Sequence, residues 1–417
     1  LAAGHVDRRG ALFGTALVAK IVLSVLSGLL GVAVAFAVYG PSIAYLVMIG
    51  TATLFFSSRL IVLRTVLESF ARAEGKFDLV LKFAAIDAMV FGGLLYLWSF
   101  AGLSLTTVVA IYSLCHIPGF LFLASYIKQV VTSNDLRLSF DRSLVKELFT
   151  TSFPVTIGIG FLAIHNMADT LILERLSNDQ EVSAYAASFR IMAGLMFLPV
   201  VLTGVIIPEF VKLLKQSAIE RAERLAQLSL QALISGAIFI ALLISSLAPI
   251  LVDLVLGKQY SDTWQLVIIF GWLFLPIVFV SLVLELGIAV GKQRMFGTYA
   301  IVLALVTIVG DLLVAGPYGA LGVAIVKFTA MLCGCGVIAY VTMSDPILRS
   351  IFMKVAWGKN LVSVLLPLGV LAALVSLSVP AIVAGLITTV VFLAWSMFSG
   401  LIELDRLRSL VRSVITK

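Results

Sequence analysis

The sequence predicts an all-α polytopic membrane protein with about twelve transmembrane helices. Three observations lead there. The chain is 61% hydrophobic and only 12% charged, with a mean hydropathy of +1.14, whereas a water-soluble domain carries about 25% charged residues. Apolar runs of roughly 20 residues or more recur from end to end, each long enough to cross a hydrocarbon core of about 30 Å. The connections between them alternate between nearly cation-free and strongly basic, as loops on opposite sides of a membrane do. A transmembrane barrel would instead alternate over ~10-residue segments, and that pattern does not occur in the sequence.

The runs fall at 11–39, 45–72, 76–100, 103–130, 147–175, 181–208, 221–255, 262–290, 293–315, 318–343, 360–378 and 380–400. One set of connections reads YGPS (39–42), AGLS (101–104), SNDQEVS (177–183), GKQYSD (257–262), AGPYGA (315–320) and LSVP (377–380), its only basic residues being Lys258 and, just ahead of SNDQEVS, Arg175. The other set holds Arg8 and Arg9, Arg72 and Lys76, then Lys128, Arg137, Arg142 and Lys146. It continues with Lys212, Lys215, Arg221 and Arg224, then Lys292 and Arg294, then Arg349, Lys354 and Lys359, and ends at Arg406, Arg408, Arg412 and Lys417. This bias places both ends of the chain in the cytoplasm. It also accounts for the net charge of +7 as a topology signal, so no nucleic-acid partner is expected. The segment LDRLRSLVRSVITK (404–417) reads as an amphipathic helix on the membrane surface.

Cys115, Cys333 and Cys335 all lie in apolar runs, and the C-x-C pair diverges on a helix. His5, His116 and His165 are too scattered for a zinc motif, so no metal, disulfide or cofactor is expected. VLESFARAEGKF (66–77) and VLELGIAVGKQRMF (283–296) both start Val-Leu-Glu and both reach Gly-Lys, with one position of slippage. Each is followed by a helix, a Gly-containing outer turn and another helix, so spans 1–4 read as a parallel repeat of spans 7–10. If the unit is six helices, spans 1–4 lack partners for spans 5 and 6. The chain opens at Leu1 without methionine. The expectation is that two helices of a first lobe have been lost ahead of residue 1, the alternative being a four-plus-six architecture.

An ionisable side chain at the bilayer centre costs roughly 2.5–3.5 kcal/mol or more, which makes it a functional candidate. Counting from the turn near residue 178, at about 1.5 Å per residue, puts His165, Asp169 and Arg190 at similar depth, with Asn166 beside them. The turn near residue 74 does the same for Arg59, Arg64 and Asp87. Lys20 and His116 lie inside spans 1 and 4, Lys327 inside span 10, and Glu285 near the inner end of span 8. Lys20, Arg59, Arg64, Arg190 and Lys327 thus face Asp87, Asp169 and Glu285, an excess of cations that predicts a hydrated cavity accepting an anion. The structural alternatives are an Arg59–Asp87 ion pair, a Lys20 that snorkels to the inner surface, a His116 used in packing, and Glu68 and Glu285 as gate or loop contacts.

Residues 143–210 carry Pro154, the run Asp169-Thr170-Leu171-Ile172-Leu173, Glu181 followed by Ala184-Tyr185-Ala186-Ala187, then Arg190-Ile191, Pro199 and Pro208. In that order these marks resemble the start of the second lobe in Wzx-type polysaccharide flippases, of the superfamily that includes MATE exporters and the lipid II flippase. The likeness continues through 247–272 to Lys292 and covers most of the chain. It implies a two-lobe flippase fold: four remaining helices of the first lobe (1–130), an inter-lobe linker (131–146), a six-helix second lobe (147–343), and two extra helices with a basic tail (344–417). It implies a bacterial inner-membrane transporter, not an enzyme. The substrate would be a polyprenyl-pyrophosphate-linked oligosaccharide, flipped from the inner to the outer leaflet for lipopolysaccharide or exopolysaccharide synthesis. Membrane lipid and polysaccharide polymerase machinery would be its partners.

Arg190 matches a helix position where related lipid flippases carry a cavity arginine. With it, Arg59, Arg64, Lys327 and Lys20 are the candidate substrate cations. Asp169, His165, Asp87 and Glu285 are the candidate counter-ions or gates, with Asp169 expected to hold Arg190. The rival readings are a cation-coupled multidrug exporter, which would favour an acidic cavity, and a membrane polymerase or glycosyltransferase. The latter would call for a larger extramembrane segment than the short connection 131–146.

Overall fold

In hydrocarbon every backbone N–H and C=O must be bonded within the chain, so apolar runs fold as helices. The computed structural model describes residues 9–51, 53–56, 63–73, 77–100, 102, 104–133 and 138–401, and among them every regular element is helical. The chain divides into two compact units, Leu1–Ser152 and Phe153–Lys417.

The first unit contains α1 (Arg9–Tyr39), α2 (Pro41–Gly50), α3 (Thr53–Phe56), α4 (Leu63–Ala73), α5 (Phe77–Ser99), α6 (Leu105–Leu114) and α7 (Ile117–Ser133), and α8 (Arg142–Leu176) begins in it. Its core joins Phe13 of α1 to Leu67, Phe70 and Ala71 of α4, Val80 of α5, and Leu123 and Ile127 of α7. The expected single span 45–72 is divided among α2, α3 and α4, with residues 52 and 57–62 outside the described ones. Span 103–130 is interrupted at Cys115–His116, between α6 and α7. Pro118, in the first turn of α7, has no N–H to continue the ladder of α6.

The second unit continues with α9 (Asp179–Ala193), α10 (Phe197–Lys215), α11 (Ile219–Leu251) and, after short π and 3₁₀ turns, α12 (Trp264–Ala289). Then come α13 (Arg294–Thr342), α14 (Pro346–Lys354), α15 (Trp357–Ser376) and α16 (Ala381–Phe398). α12 is apolar on every side, and it is the central helix of the unit, packing against α9, α10, α11 and α13. α13 is a hairpin: Gly319, at φ 53° and ψ −143°, breaks it. Its arms run back along each other, with Gly310 beside Val326 and Gly334 beside Leu303 and Tyr299. Small residues let such arms approach closely in a membrane.

Nine of the described helical stretches are long and apolar enough to cross a membrane. Arg294–Thr342 folds back at Gly319 and supplies two crossings, while Pro41–Phe56 and Ile382–Phe398 are shorter apolar helices. Among the described residues that makes ten crossings, and the two shorter helices fall on two further spans of the expected set.

Candidate functional site

A buried polar cluster lies in the middle of the second unit. α8 brings His165 and Asp169 one turn apart, and the arms of α13 bring Thr307, Asp311 and Lys327. Asp311 and Lys327 stand eight residues before and after Gly319, so the hairpin sets them at one depth. Lys327 Nζ donates to Asp169 Oδ2 at 2.5 Å and to the His165 carbonyl at 3.3 Å. The Tyr185 hydroxyl of α9 donates to the same Asp169 oxygen, and the Thr170 N–H donates to Oδ1 at 2.9 Å. His165 Nδ1 and Thr307 Oγ1 share a hydrogen bond of 2.6 Å. The ammonium also sits 5.2 Å from the centre of the Phe189 ring, a cation–π contact.

Asp311 completes the cluster. It is fully buried, and neither carboxylate oxygen has a hydrogen-bond partner. It interacts electrostatically with Asp169, Lys327 and Tyr185. Two carboxylates and one ammonium leave the cluster one negative charge in excess. A buried unpaired charge is costly enough that it is ordinarily neutralised.

The first unit has its own ionic centre. Arg64 Nε donates to Glu68 Oε1 at 3.1 Å, and Nη1 donates to Asp87 and, at 3.2 Å, to the Phe56 carbonyl. The other Asp87 oxygen accepts the N–H of Gly119 at 3.2 Å, just after the break between α6 and α7. A Cβ on Gly119 would lie 2.3 Å from Asp87 Oδ1, so only glycine lets the carboxylate reach the first turn of α7. Gly119→Ala should therefore cost about 1–3 kcal/mol by overpacking, seen as a lower unfolding temperature in detergent. Gly93→Ala, which has open space, is the control, and equal stability of the two variants would refute this placement of Asp87.

These contacts correct several expectations. The partner of Asp169 is Lys327, not Arg190, because similar depth along two helices does not fix which way each side chain is rotated. Arg64, with 0% exposure, is the partner of Asp87 and Glu68 rather than a cation open to a substrate. Lys327, at 2%, is equally enclosed. Among the described residues the fully buried charges are Arg64 and Lys327 against Glu68, Asp87, Asp169 and Asp311. Acids therefore outnumber cations among the fully buried groups, while Arg190 and Lys20, the other described cations of the expected set, are not fully buried. Arg59 lies outside the described residues, Lys20 is half-buried on α1, and Glu285 is exposed on α12.

Arg190 stands apart from both clusters. It lies in the last turn of α9, where span 181–208 breaks at Gly194–Met196 before α10 begins. The C-terminal end of a helix dipole favours a cation there. Its side chain is exposed and forms no ion pair among the described residues. Sequence reasoning missed Asp311, Tyr185 and Thr307. Counting outward from the AGPYGA turn would have levelled Asp311 with Lys327, but no sequence signal points to Tyr185 or Thr307 as ligands of this cluster.

No family model matches the sequence, and neither does any curated protein. Solved structures do. The lipid II flippase MurJ in an inward closed conformation matches at a TM-score of 0.66 and 14% identity, over 94% of this chain and 84% of that one. The bent form of the Vibrio cholerae MATE transporter VcmN gives 0.62 and 15%, over 85% and 82%. A multidrug resistance MATE transporter of the MOP superfamily, outward-facing, gives 0.65 and 12%, over 85% and 81%. The chain has the fold of these transporters. The polytopic all-α architecture expected from the sequence is therefore the observed one.

Proposed function

We propose that the chain is a flippase, not an enzyme, that moves a polyprenyl-pyrophosphate-linked oligosaccharide from the inner to the outer leaflet of a bacterial inner membrane by alternating access of its two units. The observation that carries this reading is Arg190: a guanidinium about twelve residues into the membrane from the turn at 178, exposed and without an ion pair among the described residues. Such a group is retained at that depth when an anion comes to it. A planar fork suits the oxygens of a pyrophosphate, and a low dielectric strengthens the contact. The fold shared with a lipid II flippase supports a lipid-linked substrate.

The cluster around Asp169 is assigned to coupling. Its own ammonium already answers one carboxylate, and a proton on Asp311 neutralises the other. Taking up and releasing that proton changes what Lys327 pairs with, and so which packing of α8 against the α13 hairpin is favoured. Among the described residues the groups interacting with Asp311 are Asp169 on α8, Tyr185 on α9 and Lys327 on the return arm. The acidic interior favours a second reading, a cation-coupled exporter of the MATE type, in which the same cluster couples and the cargo is cationic.

Purified protein in vesicles with a labelled lipid-linked oligosaccharide decides between them. Flipping that accelerates under a pH gradient is the expected result. Export of cationic dyes without flipping would establish the rival. Asp311→Asn fixes the neutral state, so flipping in this variant should lose its response to the gradient while its abundance stays normal. An unaltered response would remove Asp311 from the coupling role. The orientation assigned from the cations has its own check in a variant lacking the native cysteines. A cysteine placed at Asp179 should react with an impermeant thiol reagent outside intact cells, and one at Gln216 should not. The reverse pattern would invert the topology.

A further inference from the structure

The second unit contains a cavity of about 610 Å³ between α11, α12, the return arm of α13, α14 and α15. This is well within the ~300–1,000 Å³ of ordinary ligand sites. Trp272, Phe279, Phe328 and Trp357 form its walls, and Leu332 and Leu361, both exposed, stand at its mouth. Its one polar wall residue, Asn360, is spoken for: it exchanges hydrogen bonds with Gln231 at 2.7 and 3.2 Å. Nothing is left to hold water, and an apolar cavity of this kind stays dry. In a bilayer the molecules at such a mouth are hydrocarbon chains, and leaving the space empty forfeits the dispersion contacts of its whole lining.

The rim is charged. At the end of the unit where α11 and α15 begin, Arg221, Arg224, Arg349, Lys354 and Lys359 outnumber Glu220, Glu223 and Asp345. Glu223 is taken by Lys354 at 2.7 Å and by Ser350, and Asp345 caps α14. Lys359 donates to the Ser399 carbonyl at 2.6 Å yet stays exposed, and Arg349 is exposed with no ion pair among the described residues. Lys359 adjoins the cavity residues Gly358 and Asn360 in sequence. Basic rims over apolar pockets between transmembrane helices hold anionic lipid head groups.

We propose that this cavity binds one acyl chain of an anionic phospholipid whose phosphate is held by Lys359 and Arg349. That the lipid belongs to the inner leaflet rests on the orientation given under the proposed function. The binding does not.

Gly336 lines the cavity, and a Cβ there would meet nothing within 4 Å, so the space can be filled from this position without moving a neighbour. The test uses the full chain with Trp98, Trp264, Trp272 and Trp395 changed to Phe, leaving Trp357 as the probe. It is reconstituted with brominated-chain phosphatidylglycerol or brominated-chain phosphatidylcholine. Quenching of Trp357 should show at least about a five-fold preference for phosphatidylglycerol, from about 1 kcal/mol per basic residue near the head group. Arg349→Gln with Lys359→Gln should bring the preference to about unity, and Gly336→Phe should reduce the quenching itself.

Equal quenching by the two lipids, or no change in Gly336→Phe, would overturn the proposal. So would displacement of the brominated lipid by a few mole per cent of polyprenyl phosphate, which would make the cavity the seat of an isoprenoid tail. The unaltered chain gives a second readout by native mass spectrometry in detergent: phosphatidylglycerol retained by the parent and lost in Gly336→Phe. Retention by both would equally count against the cavity. Both readouts measure binding, so they hold their meaning whether or not the chain flips a lipid-linked sugar.

Discussion

Lys327→Met should deplete the protein from the membrane more than any other single change at the cluster of Asp169 and Asp311. Among the described residues Lys327 is the one cation paired within this cluster, and it is 2% exposed. Removing it leaves two carboxylates facing each other in a dry interior. Tyr185 and the Thr170 N–H still donate to Asp169, but no described donor reaches Asp311. Breaking a buried ion pair from one side costs about 3–5 kcal/mol, a large share of the roughly 5–15 kcal/mol that keeps a domain folded. Asp169→Asn should be milder. Lys327 then keeps an anion within its reach in Asp311, and the amide still accepts from Tyr185. Lys327→Met should lose more abundance and unfolding temperature than Asp169→Asn, and Asp311→Asn should stay at the parent's level. The triple change to Met, Asn and Asn should recover abundance, because no charge is then buried in this cluster. Normal abundance in Lys327→Met would mean that the cluster is hydrated and that the ion pair contributes little.

The spans were legible because the hydrocarbon core imposes one length on every crossing, and composition records it directly. The breaks were less so. Pro118 and Pro199 mark where α6 and α9 give way to α7 and α10, but a proline in a membrane helix can equally sit in a gentle bend. Depth along a helix could be counted from the turns, and it put Asp169 level with Arg190. Rotation could not, and rotation decides partners. The true partner, Lys327, lies 158 residues away, on a helix that meets α8 only through the tertiary fold. For the same reason Arg64 and Arg59 were indistinguishable as partners of Asp87 in sequence, whereas the structure puts Arg64 there. Asp311 was hidden by its setting: one carboxylate in a long apolar run carries no motif, and its weight comes from the two oxygens that the fold leaves unbonded.

Arg190→Ala should reduce flipping by about 100-fold or more while the protein remains in the membrane at normal abundance. The two halves of this expectation have separate causes. Abundance holds because Arg190 makes no ion pair among the described residues, so its removal leaves no buried carboxylate behind. Flipping falls because two charge-assisted hydrogen bonds to a phosphate, each worth roughly 1.5–3 kcal/mol, are lost where the substrate binds, and about 3 kcal/mol corresponds to a factor near 100. Arg190→Lys should restore part of the rate, since an ammonium supplies the charge without the bidentate fork. The measurement is the initial rate of flipping in vesicles, divided by the amount of protein in them. A loss of rate that merely follows a loss of protein would make Arg190 structural. Retained flipping would take the head group away from Arg190 altogether. Faster export of a cationic dye by Arg190→Ala would point to the exporter reading, because there the guanidinium repels the cargo instead of holding it.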